Sequence, residues 1–207
     1  MRKRSGIANG ESGVDHRPTP LVPSSQKRGT DAADTELPIP DSGTLSDADA
    51  RTVVRRAVAS DLANIVALRM ALLREHAHNT IYSRLRGDAD ARAAKLFAAQ
   101  LQSPNEVIFL AELSGDCVGI LRCIQSSGSP LLDPAQYAYV SSVYVVPKAR
   151  ERGVLRSLLA AADTWCSERG LDEMRLHNAA DNPLANAAWE ALGFEVVEHL
   201  RVRSLRR

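Results

Sequence analysis

The chain has 207 residues with 26 basic and 25 acidic side chains, which gives a formal net charge of +1. This length allows one well-buried domain with an appendage, or two small domains at most. The balanced charge provides no global field to attract nucleic acid or a membrane surface, and no apolar run approaches the roughly 20 residues that span a bilayer. We therefore expect no nucleic-acid partner and no membrane partner.

The cysteines and the N-terminus indicate the compartment. Cys117, Cys123 and Cys166 form an odd set without CxxC spacing, which indicates neither a disulfide framework nor a zinc site. The basic opening residues have no apolar segment behind them, so a secretion signal is not predicted. His76 and His78 lie two residues apart, but no Cys or carboxylate pattern accompanies them as a metal site requires. We expect a cytoplasmic protein with reduced cysteines and no bound metal.

Residues 1–50 differ in composition from the rest of the chain. They contain no Phe, Tyr or Trp and hold five of the ten prolines, set among Ser, Thr, Gly and Asp. Such a segment buries too little apolar surface to offset the entropy that is lost when a chain becomes ordered. The sequence therefore predicts a disordered N-terminal tail over residues 1–50 and one folded domain over residues 51–207.

The folded domain has the pattern of an α+β protein. Hydrophobic periodicity, turn residues and helix caps predict the order β-α-α-β-β-β-α-β-α-β. Ser60 with Asp61 is the predicted start of the first helix, and Asn182 before a proline starts the last one, which Gly193 ends. Residues 194–203 are the predicted last strand. This order indicates an antiparallel meander, followed by a helix crossover into a parallel neighbour.

Residues 137–159 contain the most informative stretch, YAYVSSVYVVPKARERGVLRSLL. A helix that starts at its Arg-rich turn leaves backbone N–H groups unpaired, and the helix dipole adds partial positive charge. Gly153 allows a ligand to approach closely, and Arg150, Arg152 and Arg156 add cationic donors, which together fit a diphosphate. The GxxxxGK[ST] motif of a P-loop is absent from the sequence. The same residues are also typical of a solvated helix cap, so the turn alone leaves both interpretations open.

Two linked motifs resemble those of the GNAT superfamily, the acyl-CoA-dependent N-acyltransferases. That signature is a strand ending in V-x-P, then [RQ]-x-x-G-x-[GA] opening a helix, and later N-x-x-A-x-x-x-[YW]-x-x-x-G-F. Residues 145–147 and 150–154 match the first part, and the second is matched by Asn182, Ala185, Trp189, Gly193 and Phe194. The resemblance covers residues 52–203. It implies a mixed central sheet, an antiparallel meander plus a parallel pair that splays at the cofactor, flanked by about four helices.

The resemblance also implies acetyl-CoA as co-substrate and positions that hold it. The pantetheine arm would pair with the backbone of Val143 and Val145, and the diphosphate would take the amides of residues 151–156. The implied CoA-binding set is Val143, Tyr144, Val145, Arg150, Glu151, Arg152, Gly153, Val154, Leu155, Arg156, Asn182 and Trp189. Leu155 departs from the small residue of the family motif, so its side chain must turn away from the diphosphate. We expect it to pack in the core.

Acetyl transfer by direct attack needs a route for the amine proton, a donor for the oxyanion and a proton for the thiolate. By analogy with the family, the backbone N–H of Val145 is the expected oxyanion donor, and Tyr139 and Ser141 occupy positions of the base. Strand alternation predicts that Tyr139, Ser141 and Val143 share one face. A phenol and a hydroxyl are poor bases at neutral pH, so we expect them to hold a water chain. His177 is the remaining titratable candidate.

The acid that protonates the thiolate is not evident. Many relatives use a tyrosine where this chain has Trp189, and an indole N–H is not a useful proton donor. Together with the weak bases and Leu155, this leaves a second interpretation open, namely a catalytically weak or inactive CoA-binding sensor. A nucleic-acid-binding module would rest only on the basic termini and lacks interleaved aromatic residues.

The leading interpretation is an N-acetyltransferase that acts on a primary amine of a small molecule, a peptide or a protein, as a monomer or a homodimer. Acceptor pockets are built from loops, which vary freely on a constant fold. We expect the acceptor entrance on the connection between the first two helices, where the sequence has Glu75, His76, His78, Tyr82 and Arg84.

Overall fold

The structure is a computed structural model that describes residues 51–205. The predicted tail, residues 1–50, lies outside the described residues. The helices and strands are β1 Val53–Arg56, α1 Leu62–Glu75, α2 Ala89–Gln100, β2 Glu106–Leu113, β3 Asp116–Ser127, β4 Gln136–Val145, α3 Val154–Glu168, β5 Met174–Leu176 and α4 Pro183–Ala191. Two single 3-10 turns, Ala59–Asp61 and Pro147–Ala149, precede α1 and follow β4.

The strands form one mixed sheet in the order β1-β2-β3-β4-β5. Strands β1 to β4 pair antiparallel with their neighbours, and β5 pairs parallel to β4 after the crossover through α3. The predicted architecture, a meander followed by a parallel pair and flanked by four helices, is confirmed. No helix within residues 51–205 is long and apolar enough to cross a lipid bilayer.

A hydrophobic cluster lies on each face of the sheet. On one face α3 buries Leu158, Ala162 and Trp165, which recur at helical spacing and form an apolar stripe. Gly119 of β3 lies beneath this helix, and a Cβ there would come within 3.1 Å of the Leu158 side chain. The glycine therefore permits close approach of helix and sheet. On the other face α1 and α2 contribute Ile65 and other buried side chains.

The start of α1 differs from the prediction. Ser60 lies within the 3-10 turn that precedes the helix and does not cap it. The Asp61 carboxylate accepts a hydrogen bond from the Val58 N–H at 2.8 Å and pairs with Nη1 of Arg55 at 2.7 Å. The Arg55 hydrogen bond outweighs burial and lowers the pKa of Asp61 to about 2. Asp61 therefore joins the turn to β1.

The predicted last strand, residues 194–203, is wrong. Residues 194–205 contain neither helix nor strand, and Val196, Val197, Leu200 and Val202 are exposed. The neighbouring edge strand, β5, has only three residues and offers few backbone groups to pair with. Apolar residues at strand-like spacing do not form a strand without a partner that bonds their backbone.

A bulge in β4 changes which side chains share a face. The register with β3 shifts between the pairs Ile120–Tyr144 and Arg122–Ser141, so two residues of β4 lie opposite one residue of β3. Ser142, in this bulge, has a left-handed φ of 53°.

The bulge explains why one predicted face is wrong. Val143 was expected to share a face with Tyr139 and Ser141, but it packs into the α3-side cluster together with Ala138 and Val140. The extra residue reverses the alternation, so side chains on the two sides of the bulge are out of phase.

Candidate active site

A cleft of about 770 Å³ opens where β4 and β5 separate. β5 pairs with β4 only between residues 174–176 and 138–140. Beyond that point β4 continues to Val145 and the turn before α3, whereas the chain after β5 leads to α4. The cleft is therefore lined by the unpaired end of β4, the turn before α3, the residues that follow β5 and one face of α1.

The backbone at the end of β4 presents donors to this cleft. The N–H of Val146 donates to the Val118 carbonyl of β3 at 2.9 Å. Because successive N–H groups of a strand point to opposite sides, the N–H groups of Val145 and Val143 point away from β3, into the gap beside β5. Before the bulge at Ser142, the N–H groups of even-numbered residues point away from β3. After the bulge, those of odd-numbered residues do. An extended ligand can pair with this edge as an added strand does.

The turn before α3 has a conformation that suits an anion. Glu151 and Gly153 have left-handed φ values of 62° and 77°. The backbone bond from the Ser157 N–H to the Gly153 carbonyl opens the helix, so the amides of residues 154–156 precede its first internal donor. A Cβ at Gly153 would meet no described atom within 4 Å. The turn therefore combines the amides of residues 154–156, the positive end of the helix dipole and open space in which an anion can lie.

The side chains of this turn divide between core and cleft. Val154 is buried, and Leu155 packs against the α3-side core, as expected for the residue that departs from the family motif. Glu151, Arg152 and Arg156 are exposed. Leu155 therefore leaves its amide available while its side chain contributes to packing.

Arg150 connects the turn to two other elements. Its Nη2 lies 2.8 and 2.7 Å from the two carboxylate oxygens of Glu75, the last residue of α1. Its Nε donates to the Val145 carbonyl at 3.0 Å, and its guanidinium lies 5.6 Å from the centre of the Tyr144 ring. Burial raises the pKa of Glu75, but the hydrogen bonds and charge of Arg150 outweigh it and the pKa is lowered. The Arg150 side chain is thus engaged within the protein.

The three candidate catalytic residues all line the cleft. The Tyr139 hydroxyl lies 2.9 Å from Nδ1 of His177, within hydrogen-bonding distance, and His177 is exposed to solvent. Burial raises the pKa of Tyr139, which is therefore a neutral phenol at physiological pH. Ser141 is separate, with its Oγ 3.4 Å from Nη1 of Arg122. The structure brings Tyr139 and His177 together as a polar pair open to water.

The start of α4 agrees with its predicted cap. Oδ1 of Asn182 accepts a hydrogen bond from the Ala185 N–H at 3.0 Å, and Gly193 follows the helix with a φ of 86°. Trp189 is 9% exposed and packs edge-on against Phe194 with ring centres 5.2 Å apart. Asn182 and Trp189 both line the cleft.

The residues of the expected acceptor entrance lie at different places around the cleft. Glu75, His76 and Tyr82 line the cleft, whereas His78 lies 4.0 Å from Asp181 and Arg84 lines a second, neighbouring cavity. Within residues 51–205, no group of three or more His, Cys, Asp or Glu side chains is arranged to hold a metal ion.

Sequence reasoning did not identify Arg69 as a site residue. It lines the cleft from α1 together with Leu72, Leu73 and His76, which follow it at intervals of three, four and seven residues. This spacing places all four on one helix face. The sequence signal that could have identified it is an arginine that shares the cleft-facing side of the helix with Leu72 and Leu73.

Comparison with known proteins identifies the family that this chain resembles. A profile of the acetyltransferase (GNAT) family matches residues 70–194. The aminoglycoside N(6')-acetyltransferase type 1 of Salmonella typhimurium is 28% identical over 101 residues, 48% of this chain and 70% of the relative. An uncharacterized N-acetyltransferase of Bacillus subtilis, YhfO, is 27% identical over 143 residues, 69% of this chain and 89% of the relative.

Solved structures share the fold. The aminoglycoside N-acetyltransferase AAC(6')-Iy in complex with CoA has a TM-score of 0.63 at 22% identity, over 76% of this chain and 97% of the other. A Clostridium acetobutylicum protein, described as a predicted acetyltransferase and solved with acetyl-CoA, has a TM-score of 0.62 at 16% identity, over 75% and 97%. The profile match covers more than half of the sequence and includes β4, the turn and α4. The chain therefore belongs to the acetyltransferase (GNAT) family.

Proposed function

We propose that this acetyltransferase transfers the acetyl group of acetyl-CoA to a primary amine by direct attack on the thioester. One observation carries the proposal: the free N–H edge of β4 and the left-handed turn at the start of α3 border the same cleft. The first suits an extended amide-rich arm, and the second suits a diphosphate. CoA contains both groups in one molecule.

In this proposal each part of CoA has its own protein partners. The backbone of Val143 and Val145 pairs with the pantetheine arm, and the amides of residues 151–156 hold the diphosphate. Arg156, exposed beside the turn, adds cationic charge. Arg150 acts indirectly, because its guanidinium holds the end of β4 through the Val145 carbonyl.

The chemical step forms a C–N bond to the acetyl carbon and breaks its C–S bond. The N–H of Val145 points into the cleft and would stabilise the oxyanion of the tetrahedral intermediate. His177, oriented by the Tyr139 hydroxyl, would take the proton that the amine loses and pass it to solvent. Trp189 lacks a transferable proton, so water would protonate the thiolate that leaves.

A catalytically silent CoA-binding sensor is the second candidate, and the tryptophan at position 189 favours it. The named relatives support turnover, because several are aminoglycoside acetyltransferases. They also support a small-molecule amine as acceptor rather than a peptide or protein.

Two measurements test the proposal. Calorimetric titration of the purified chain with acetyl-CoA is expected to show binding, and thiol release with a panel of primary amines is expected to exceed hydrolysis without amine. Binding without amine-dependent thiol release from any member would support the sensor. Absence of acetyl-CoA binding would contradict both candidates.

A further inference from the structure

Arg69 is a cation at the acceptor end of the cleft that has no counter-ion in the part of the chain that the structure describes. It is half-buried on the α1 face that lines the cleft. Within residues 51–205, its guanidinium forms neither a salt bridge nor a hydrogen bond. The titratable groups that act electrostatically on it are Tyr82, Tyr139 and Arg122. The first two are phenols and the third is another cation, so none of them neutralises its charge.

The carboxylates near this cleft do not compensate for the charge. Among the described residues that line it, only Glu75 and Glu151 are acidic. Glu75 is engaged by Arg150 through both of its oxygens, and Glu151 lies in the exposed turn before α3. The acceptor end therefore has an excess of positive charge.

Position along α1 separates Arg69 from the turn that suits a diphosphate. Glu75, whose carboxylate pairs with Arg150 of that turn, follows Arg69 by six helical residues. Six helical residues span about 9 Å, so Arg69 faces a different part of the cleft from the turn. Arg69 is therefore available to the second substrate.

An unpaired, partly desolvated cation is unfavourable unless a ligand supplies the missing charge. Burial lowers the pKa of Arg69, which indicates the same loss of solvation. A guanidinium presents a planar fork of donors that matches carboxylate and phosphate oxygens. The hydroxyls of Tyr82 and Tyr139 are further hydrogen-bonding groups at the same end.

We propose that Arg69 binds an acidic group of the acceptor, so that the acceptor is a small primary amine that also carries a carboxylate or a phosphate. This inference rests on the proposed acetyl transfer and specifies its second substrate. It separates this chain from its named relatives, because aminoglycosides are polycations and the acceptor end repels them.

Matched ligands test the inference without requiring turnover. The probes are primary amines of several lengths, each prepared with a terminal carboxylate, a terminal phosphonate or a terminal primary amide, together with kanamycin as a polycation. Their binding to the complex of the chain with CoA is measured by calorimetry. At least one carboxylate or phosphonate is expected to bind about 10-fold more tightly than the matching amide. The better of the two acids identifies the acidic group.

Two variants assign the preference to Arg69. In Arg69→Gln the ratio of acid to amide affinity is expected to fall to near one, while the affinity for CoA is unchanged. Arg74→Gln is the matched control, because Arg74 lies on the same helix but is exposed beside Asp90, outside the cleft. Thermal unfolding verifies folding, and Arg69→Gln is expected to be no less stable, since the Arg69 guanidinium has no salt-bridge or hydrogen-bond partner among residues 51–205 to lose.

The outcomes distinguish this inference from the proposed function. The inference is overturned if every amide binds as tightly as its acid, if the preference survives in Arg69→Gln, or if kanamycin is the tightest ligand. Preference for an acid that depends on Arg69, without thiol release from any amine, would overturn acetyl transfer alone. Thiol release without such a preference would overturn only the role of Arg69.

Discussion

Nη2 of Arg150 lies 2.8 and 2.7 Å from the two carboxylate oxygens of Glu75, which is 75 residues earlier in the chain. The same guanidinium donates from Nε to the Val145 carbonyl at 3.0 Å. One side chain therefore joins the end of α1, the end of β4 and the turn before α3. The last two carry the backbone donors proposed to hold CoA, so the relative positions of these donors depend on this contact.

Replacing Glu75 by Gln is expected to weaken acetyl-CoA binding several-fold, because Arg150 then loses its charged partner and no longer holds the turn. The loss of stability is about 1 kcal/mol, since the pair is partly exposed. Calorimetry and urea unfolding measure the two effects. Glu168→Gln is the control, because its exposed pair with Arg56 lies outside the cleft. Equal acetyl-CoA affinities in the two variants would contradict this role for Glu75.

Gly153→Ala is expected to destabilise the fold by about 1 kcal/mol, because a side chain is unfavourable at a φ of 77°. Gly153→Trp additionally places an indole where the diphosphate is proposed to bind, so acetyl-CoA affinity is expected to fall at least about 10-fold. Gly115→Ala is a matched control with a φ of 86° in the β2–β3 turn. It should lower stability and leave affinity unchanged. Wild-type affinity in folded Gly153→Trp would refute the placement of the diphosphate.

His177→Gln is expected to lower kcat about 100-fold, because it removes the group proposed to accept the amine proton. Tyr139→Phe removes only the hydroxyl 2.9 Å from the ring and should cost about 10-fold. Neither change should alter the Kd for acetyl-CoA. Tyr137→Phe is the control, since Tyr137 stacks with Arg175 outside the cleft. The dependence of kcat on pH is measured for wild type and each variant. A His177→Gln variant with unchanged kcat and unchanged pH profile would exclude His177 as the base.

Asp61→Asn is expected to cost about 2 kcal/mol of folding free energy at neutral pH, because the Arg55 pair lowers the pKa of Asp61 from 3.8 to about 2. A carboxyl with a lowered folded-state pKa stabilises the fold above its unfolded-state pKa. That stabilisation is lost as the pH falls from about 4 to about 2. Urea unfolding at several pH values should therefore show wild type and Asp61→Asn converging in acid. A difference that stays constant down to pH 2 would contradict this assignment.

Short-range signals in the sequence determined the family, the order of the elements up to α4 and the turn before α3. Asn182 caps α4 as predicted because a cap depends on hydrogen bonds within a few residues. Gly153 marks the turn because its left-handed backbone is a local requirement. The predicted strand over residues 194–203 failed, since a strand also requires a partner elsewhere in the chain.

The tertiary structure decided what depends on distant residues. The bulge at Ser142 arises from the register of β4 against β3, and it places Val143 on the opposite face from the one predicted. The sequence predicts Arg150 as a cationic donor of the turn before α3. Its partner Glu75 lies at the end of α1, so the structure shows its guanidinium in a contact between elements. Arg69 enters the cleft only because α1 packs across the sheet. Pairing and burial of charges are set by packing between elements, and sequence spacing carries no information on that packing.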